Sequence, residues 1–99
     1  LTACPDMLPP GSTIGILGGG QLGRMLGMAA AQLGYRCHVL APEADVPAGD
    51  VCAAVTRAEY GDAAALADFA AAVDVVTFEW ENVDPAAVRR LAGLVPVHP

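Results

Sequence analysis

Thr13-Ile14-Gly15-Ile16-Leu17-Gly18-Gly19-Gly20-Gln21-Leu22-Gly23-Arg24-Met25-Leu26 is the stretch on which the fold turns. Thr13 to Leu17 is a short apolar run ending at glycines, as expected for a strand buried on both faces. After Gly18-Gly19-Gly20, the residues Leu22, Met25, Leu26, Ala29, Ala30 and Leu33 recur at helical spacing, and Gly34 stands where a C-terminal cap belongs. The stretch therefore predicts a central strand, a tight glycine turn, and a helix that packs back on the sheet.

Moving outward, Cys37 to Leu40 predicts a second strand. Pro42 to Asp50, rich in proline and acids, predicts a loop with room for one short helical turn, and Val51 to Thr56 a weaker third strand. Asp62 can cap a helix carrying Leu66, Phe69, Ala70 and Val73 on one stripe, with Asp74 ending it. Val75 to Phe78 is a fourth buried strand. Asp84-Pro85 then supplies a cap and a first-turn proline for a helix with Val88, Leu91 and Ala92 inward, Arg89 and Arg90 near its negative end, and Gly93 closing it. Val95-Pro96-Val97 predicts a fifth strand at a sheet edge, where a missing amide donor is tolerated. Strands alternating with helices through short connections require parallel pairing and right-handed crossovers. The expected fold is α/β, a Rossmann-like doubly wound parallel sheet of about five strands in the order 3-2-1-4-5. Residues 1–12 read as a flexible leader, with Met7 as a candidate start, and residues 13–99 as one domain.

Composition narrows the partners. With 99 residues, 55% apolar and 16% charged, the chain can fill one core and is far from the signature of disorder. It carries five arginines, no lysine and eleven acids for a net charge of -6, which leaves no cationic surface for nucleic acid or an anionic membrane. Gln32, Arg36, Asp68 and Asp74 interrupt the apolar runs well short of the ~20 residues that span a bilayer. Cys4, Cys37 and Cys52 are odd in number and lack CxxC spacing, so neither a disulfide framework nor a zinc site is indicated, and a reducing cytoplasm is the expected location. No Ser-His-Asp or Cys-His arrangement can be assembled. An apolar helix face leaves a further domain and a homodimer partner both open as its cover.

In the order 3-2-1-4-5, the helices after the first and fourth strands lie on opposite faces, and a crevice opens at the carboxyl ends of those strands. Two segments converge there, Gly18 to Gly23 and Phe78 to Asn82. The first contains GxGxxG between a strand and a helix, where glycines permit close approach and the helix-start amides favour an electron-rich group. A dinucleotide site would also need an acid ending the second strand, and Ala41 cannot accept the ribose hydrogen bonds. The second segment, Phe78-Glu79-Trp80-Glu81-Asn82, places two carboxylates after an apolar strand. Glu79 and Glu81, two apart on an extended chain, can face one site and accept from hydroxyls or an amine while repelling phosphate. Trp80 reads as packing, His38 as a core histidine, and His98 as part of a chain end.

The string from Thr13 to Leu26 closely resembles the opening of the N5-carboxyaminoimidazole ribonucleotide synthase family, the ATPase subunit of bacterial phosphoribosylaminoimidazole carboxylase. Pro42 to Ala48 and Val75 to Val83 resemble that family's second loop and fourth strand end, in the same order. The resemblance implies the N-terminal, pre-ATP-grasp domain of an ATP-grasp ligase of de novo purine synthesis, which uses ATP, magnesium and bicarbonate to carboxylate the amine of 5-aminoimidazole ribonucleotide. It further implies that ATP and Mg2+ are held by ATP-grasp domains outside this chain, which alone should be inactive. By analogy with the related formate-dependent glycinamide ribonucleotide transformylase, the implied substrate-binding residues are Gly20, Gln21 and Leu22 on the glycine loop and Glu79, with Glu81 beside it. Ala41 where the family often has Asp, Trp80 in place of Phe or Ile, and Asp84 inserted before Pro85 depart from the pattern without removing an assigned residue. Two rival readings stand beside it: an NAD(P)- or flavin-binding domain of an oxidoreductase, and a non-catalytic interaction module.

Overall fold

The structure, a computed structural model, describes residues 8–78 and 84–98. In chain order it contains β1 (Thr13–Leu17), α1 (Gln21–Gln32), β2 (Arg36–Ala41), a single 3-10 turn (Pro47–Asp50), β3 (Ala54–Arg57), α2 (Ala63–Ala72), β4 (Val75–Phe78) and α3 (Pro85–Ala92). The strands form a parallel sheet in the order β3-β2-β1-β4. This is the α/β architecture and the strand order expected for the first four strands.

The fifth strand is not present as a strand among the described residues. Val97 makes one isolated parallel bridge to Val76, in which the Val76 amide donates to Pro96 O at 2.9 Å and the His98 amide donates to Val76 O at 2.9 Å. Pro96 has no amide of its own to extend the ladder. The third strand also differs from expectation, starting at Ala54 rather than Val51. The amides of Val51 and Cys52 both donate to Ala48 O, at 3.2 and 3.1 Å, so these residues prolong the 3-10 turn instead of pairing with β2.

Alternation along the strands splits the core in two. Leu17, Leu40 and Val76 point to one face, where they meet Leu66, Phe69 and Ala70 of α2 and Ala87 and Leu91 of α3. Ile16, Cys37 and Val39 point to the other, where Ala30 of α1 and Ala48 of the 3-10 turn cover them. Each fully buried Leu or Phe removed from water is worth roughly 1.5–3 kcal/mol. Asp74 fastens the start of β1 to the start of β4: its amide donates to Thr13 O at 2.8 Å, and its carboxylate accepts from the Thr13 amide at 2.8 Å.

Helix α1 packs on the sheet as expected, but through a different stripe. Its buried residues are Gly23, Gly27 and Ala30, whereas Leu22, Met25, Leu26 and Leu33 are exposed, Met25 and Leu33 by 63% and 70%. The helix lies too close to the glycine turn and to the residues after the 3-10 turn for large side chains. A Cβ on Gly23 would come within 2.8 Å of Gly18 O, and one on Gly27 within 3.1 Å of Val51 and 3.3 Å of the Cys52 sulfur. With apolar residues nearly all round the helix, sterics choose the stripe that faces inward.

Candidate functional site

The site is built where β1 and β4 end together. They pair in parallel with Leu17 opposite Phe78, so the chain leaves β1 into the glycine turn beside the point where it leaves β4. Helix α1 then departs on one face, while α2 and α3 occupy the other. The strand order and this register form the carboxyl-end crevice that the doubly wound topology requires.

The glycine turn is held rigidly from behind. Gly18 adopts φ +100°, a conformation that side chains disfavour, and its amide donates to Leu40 O at 3.0 Å. Gly19 lies flat against Val46, and a Cβ there would fall 2.5 Å from the valine Cβ. Its carbonyl accepts from the Ala48 amide at 2.9 Å. The loop between β2 and β3 therefore clamps the turn, with Val46 and Ala48 as the contacts.

Three helices begin in two different ways. The Asp62 carboxylate accepts from the Ala65 amide at 3.0 Å at the start of α2, and the Asp84 carboxylate accepts from the Ala86 amide at 2.9 Å at the start of α3. Both are side-chain caps that satisfy first-turn donors. Helix α1 begins at Gly20, in an extended conformation (φ -73°, ψ -165°), with no side-chain cap. Among the described residues, the helix that starts at the crevice is thus the one without a side-chain cap from its N-cap residue, and its positive end faces the same way.

Beside that start lies an open cleft of about 340 Å³ lined by Gln21, Arg24, Asp45, Val46, Pro47 and Asp50. Its lining is largely polar and includes one arginine and two aspartates. Gln21 was expected at the site and lines this cleft. Arg24, Asp45 and Asp50 were not singled out from the sequence, although the glycine string and the Pro-rich loop that carry them were. Leu22 follows Gly20 and Gln21 with its side chain 61% exposed, which leaves its backbone as the part suited to a ligand at the helix start. Glu79 and Glu81, together with Trp80 and Asn82, lie outside the described residues.

Other titratable groups serve the core. His38 is half-buried in β2, its Nε2 2.6 Å from the Thr56 hydroxyl and its ring edge-on to Phe69 with centroids 5.1 Å apart. Burial pushes its pKa below the ordinary 6.5, and it is the core histidine that its apolar strand suggests. Cys37 and Cys52 are free thiols under α1. Burial, with the neighbouring Cys52, pushes Cys37 up from 9.0 to about 11, and burial also raises Cys52. Such thiols are poor nucleophiles at neutral pH. Ala41, at the carboxyl end of β2, is fully buried.

Residues 11–99 match the family model of the ribonucleotide synthetase preATP-grasp domain. An N5-carboxyaminoimidazole ribonucleotide synthase from Brucella melitensis is 54% identical over 92 residues, covering 93% of this chain and 25% of that protein. A crystal structure of an N5-carboxyaminoimidazole ribonucleotide synthetase in complex with ADP superposes with a TM-score of 0.88 at 39% identity, covering 95% of this chain and 25% of that one. The Aspergillus clavatus enzyme, crystallised with ADP and 5-aminoimidazole ribonucleotide, superposes with a TM-score of 0.76 at 35% identity, covering 90% of this chain and 24% of that one. The chain spans about a quarter of the length of each of these relatives.

Proposed function

This chain belongs to the ribonucleotide synthetase preATP-grasp domain family and matches the N-terminal domain of N5-carboxyaminoimidazole ribonucleotide synthases, and from that premise we propose that it is the acceptor-binding part of an ATP-dependent carboxyligase. The full enzyme joins bicarbonate to the exocyclic amine of 5-aminoimidazole ribonucleotide at the expense of ATP. The observation that carries this reading is the crevice itself: an uncapped helix start on a clamped glycine turn, side by side with the end of β4.

In the proposed complex, Gly20 admits the ligand to the start of α1. The Gln21 side chain and the Leu22 amide hold one side of the ribonucleotide. Glu79 accepts from its ribose hydroxyls, and Glu81 lies close by. Fixing the sugar in this way positions the amine for attack, which is the main contribution a binding domain makes to a two-substrate reaction. ATP and Mg2+, when bound, supply activation of the carboxyl donor. Relatives crystallised with ADP or ATP support a nucleotide site in the enzyme. This chain contains no lysine to neutralise its phosphates, so that site is assigned to the ATP-grasp part of the polypeptide. The protein is expected to work in the cytoplasm.

The test is Glu79→Ala in the complete enzyme. A hydrogen bond donated to an ionised acceptor is worth roughly 1.5–3 kcal/mol, so KM for the ribonucleotide should rise by about tenfold or more while KM for ATP changes little. No change in either constant defeats the assignment. Fluorescence titration with NADH addresses the dinucleotide reading, and no binding is expected, because Ala41 offers no acceptor to a ribose.

A further inference from the structure

Among the described residues, the α1 side of the sheet is covered over β2 but open over β4 and the adjoining part of β1. A groove of about 370 Å³ runs between α1 and β4, with Leu26, Ala29 and Leu33 on the helix wall and Val75 and Thr77 on the sheet floor. Leu26 and Leu33 are 43% and 70% exposed. β4 is not an edge: β1 pairs on one side and Val97 bridges on the other. Its residue on the opposite face, Val76, is fully buried under α2 and α3, whereas Val75 and Thr77 are only half-buried.

Parallel sheets are stable when both faces are covered by helices of their own fold, because their interior strands carry apolar residues on both sides. Among the described residues, a layer of the domain core is therefore missing over β4. From this geometry we propose that an amphipathic α-helix, supplied by the part of the same polypeptide that the four-times-longer relatives possess beyond this quarter, lies in the groove alongside α1. The groove has the proportions for it. Helices pack 8–10 Å apart, and a helix laid beside α1 over β4 would bury Leu26 and Leu33 on one flank and Val75 and Thr77 beneath. The lining is almost wholly apolar, so the occupant presents Leu-, Ile-, Val- or Ala-type side chains and no charge. His98 also lines the groove. The chain beyond the Val97 bridge thus passes along its rim, and the connection to such a helix requires no long excursion. The inference rests on family membership and the open sheet face, and is independent of which residues hold the ribonucleotide.

The test replaces Leu26 by photo-leucine, a near-isosteric diazirine analogue that keeps the site's volume, in the full-length protein. After irradiation and proteolysis, mass spectrometry should find residue 26 joined to a residue beyond position 99. The product should migrate at the mass of one chain, with a yield unchanged over a hundredfold range of protein concentration. A product of doubled mass would assign the groove to a second copy and overturn the proposal. Cross-links confined to residues 1–99, or quenching by water alone, would equally overturn it. Ribonucleotide KM, measured on the same variant, reports separately on the substrate site.

Discussion

On the side of the sheet that carries α2 and α3, the helix residues turned inward are large, Leu66, Phe69 and Leu91, and each helix opens with an aspartate that caps it. On the α1 side the inward residues are Gly23, Gly27 and Ala30, the large apolar residues point out, and the helix opens with a bare glycine. The first side is organised for stability, filling volume and satisfying its own helix ends. The second side differs on both counts: its helix packs through glycine and alanine over a smaller core, and it starts without a side-chain cap from its N-cap residue. If the proposed site is right, stability rests mainly on one side of the sheet and binding at the end of the other, and the comparison can be broken at either.

The largest effect is expected on the filled side. Phe69→Ala deletes a fully buried ring that packs against His38 and should cost about 3–5 kcal/mol in urea denaturation, enough to unfold a marginal domain. A loss below 1 kcal/mol would mean that this face is not the mechanical core. The two faces should also separate by pH. Cys37 lies on the α1 side, and above about pH 9 the unfolded chain loses a thiol proton that the folded chain keeps until about 11. Stability should therefore fall across that window with a slope approaching about 1.4 kcal/mol per pH unit. His38 lies on the other side with a lowered pKa, so stability should fall as pH drops below about 6.5, where the unfolded imidazole takes a proton that the buried one resists. Cys37→Ala should weaken the alkaline limb, leaving the part that the raised Cys52 contributes, and keep the acid limb in place.

Smaller effects sharpen the contrast on the α1 side. Gly19→Ala puts a methyl into Val46 and should cost about 1–3 kcal/mol, read as a lower urea midpoint. Gly20→Asp acts in the opposite sense. The backbone at position 20 is one any residue adopts, and a carboxylate there supplies the cap that α1 lacks. Stability should rise by about 0.5–1 kcal/mol while KM for the ribonucleotide rises in the complete enzyme. Tighter binding in that variant would contradict an open helix start as the ligand's seat. Met25→Gln, on the outward stripe, should change the stability of this 99-residue chain by less than about 0.5 kcal/mol.

Much of this was legible from residue order. The β1 and β4 boundaries follow from apolar runs fenced by glycine, aspartate or a charged segment, and the α2 and α3 starts from Asp62 and Asp84-Pro85, whose capping chemistry is local. The inward stripe of α1 was not legible, because Leu22, Met25, Leu26 and Leu33 fit helical spacing as well as Gly23, Gly27 and Ala30 do, and hydrophobicity favours the wrong set. Only the close approach of α1 to the glycine turn at Gly18 and to Val51 and Cys52 decides between them. The start of β3 was hidden for a related reason: Val51 and Cys52 have strand-like side chains but spend their amides on Ala48. At the crevice, the glycine turn could be read from Gly18 to Gly23. Its clamp by Val46 and the Arg24, Asp45 and Asp50 rim depends on a loop whose path the sequence does not specify.

The central claim is that one ribonucleotide is gripped from two strand ends at once. It is tested most directly by a crystal structure of the complete polypeptide with 5-aminoimidazole ribonucleotide bound. The account predicts the ligand within hydrogen-bond distance, about 2.7–3.2 Å, of both the Gln21–Leu22 helix start and the Glu79 carboxylate. A ligand bound elsewhere, or Glu79 turned to the far side of the sheet from Gln21, would contradict it.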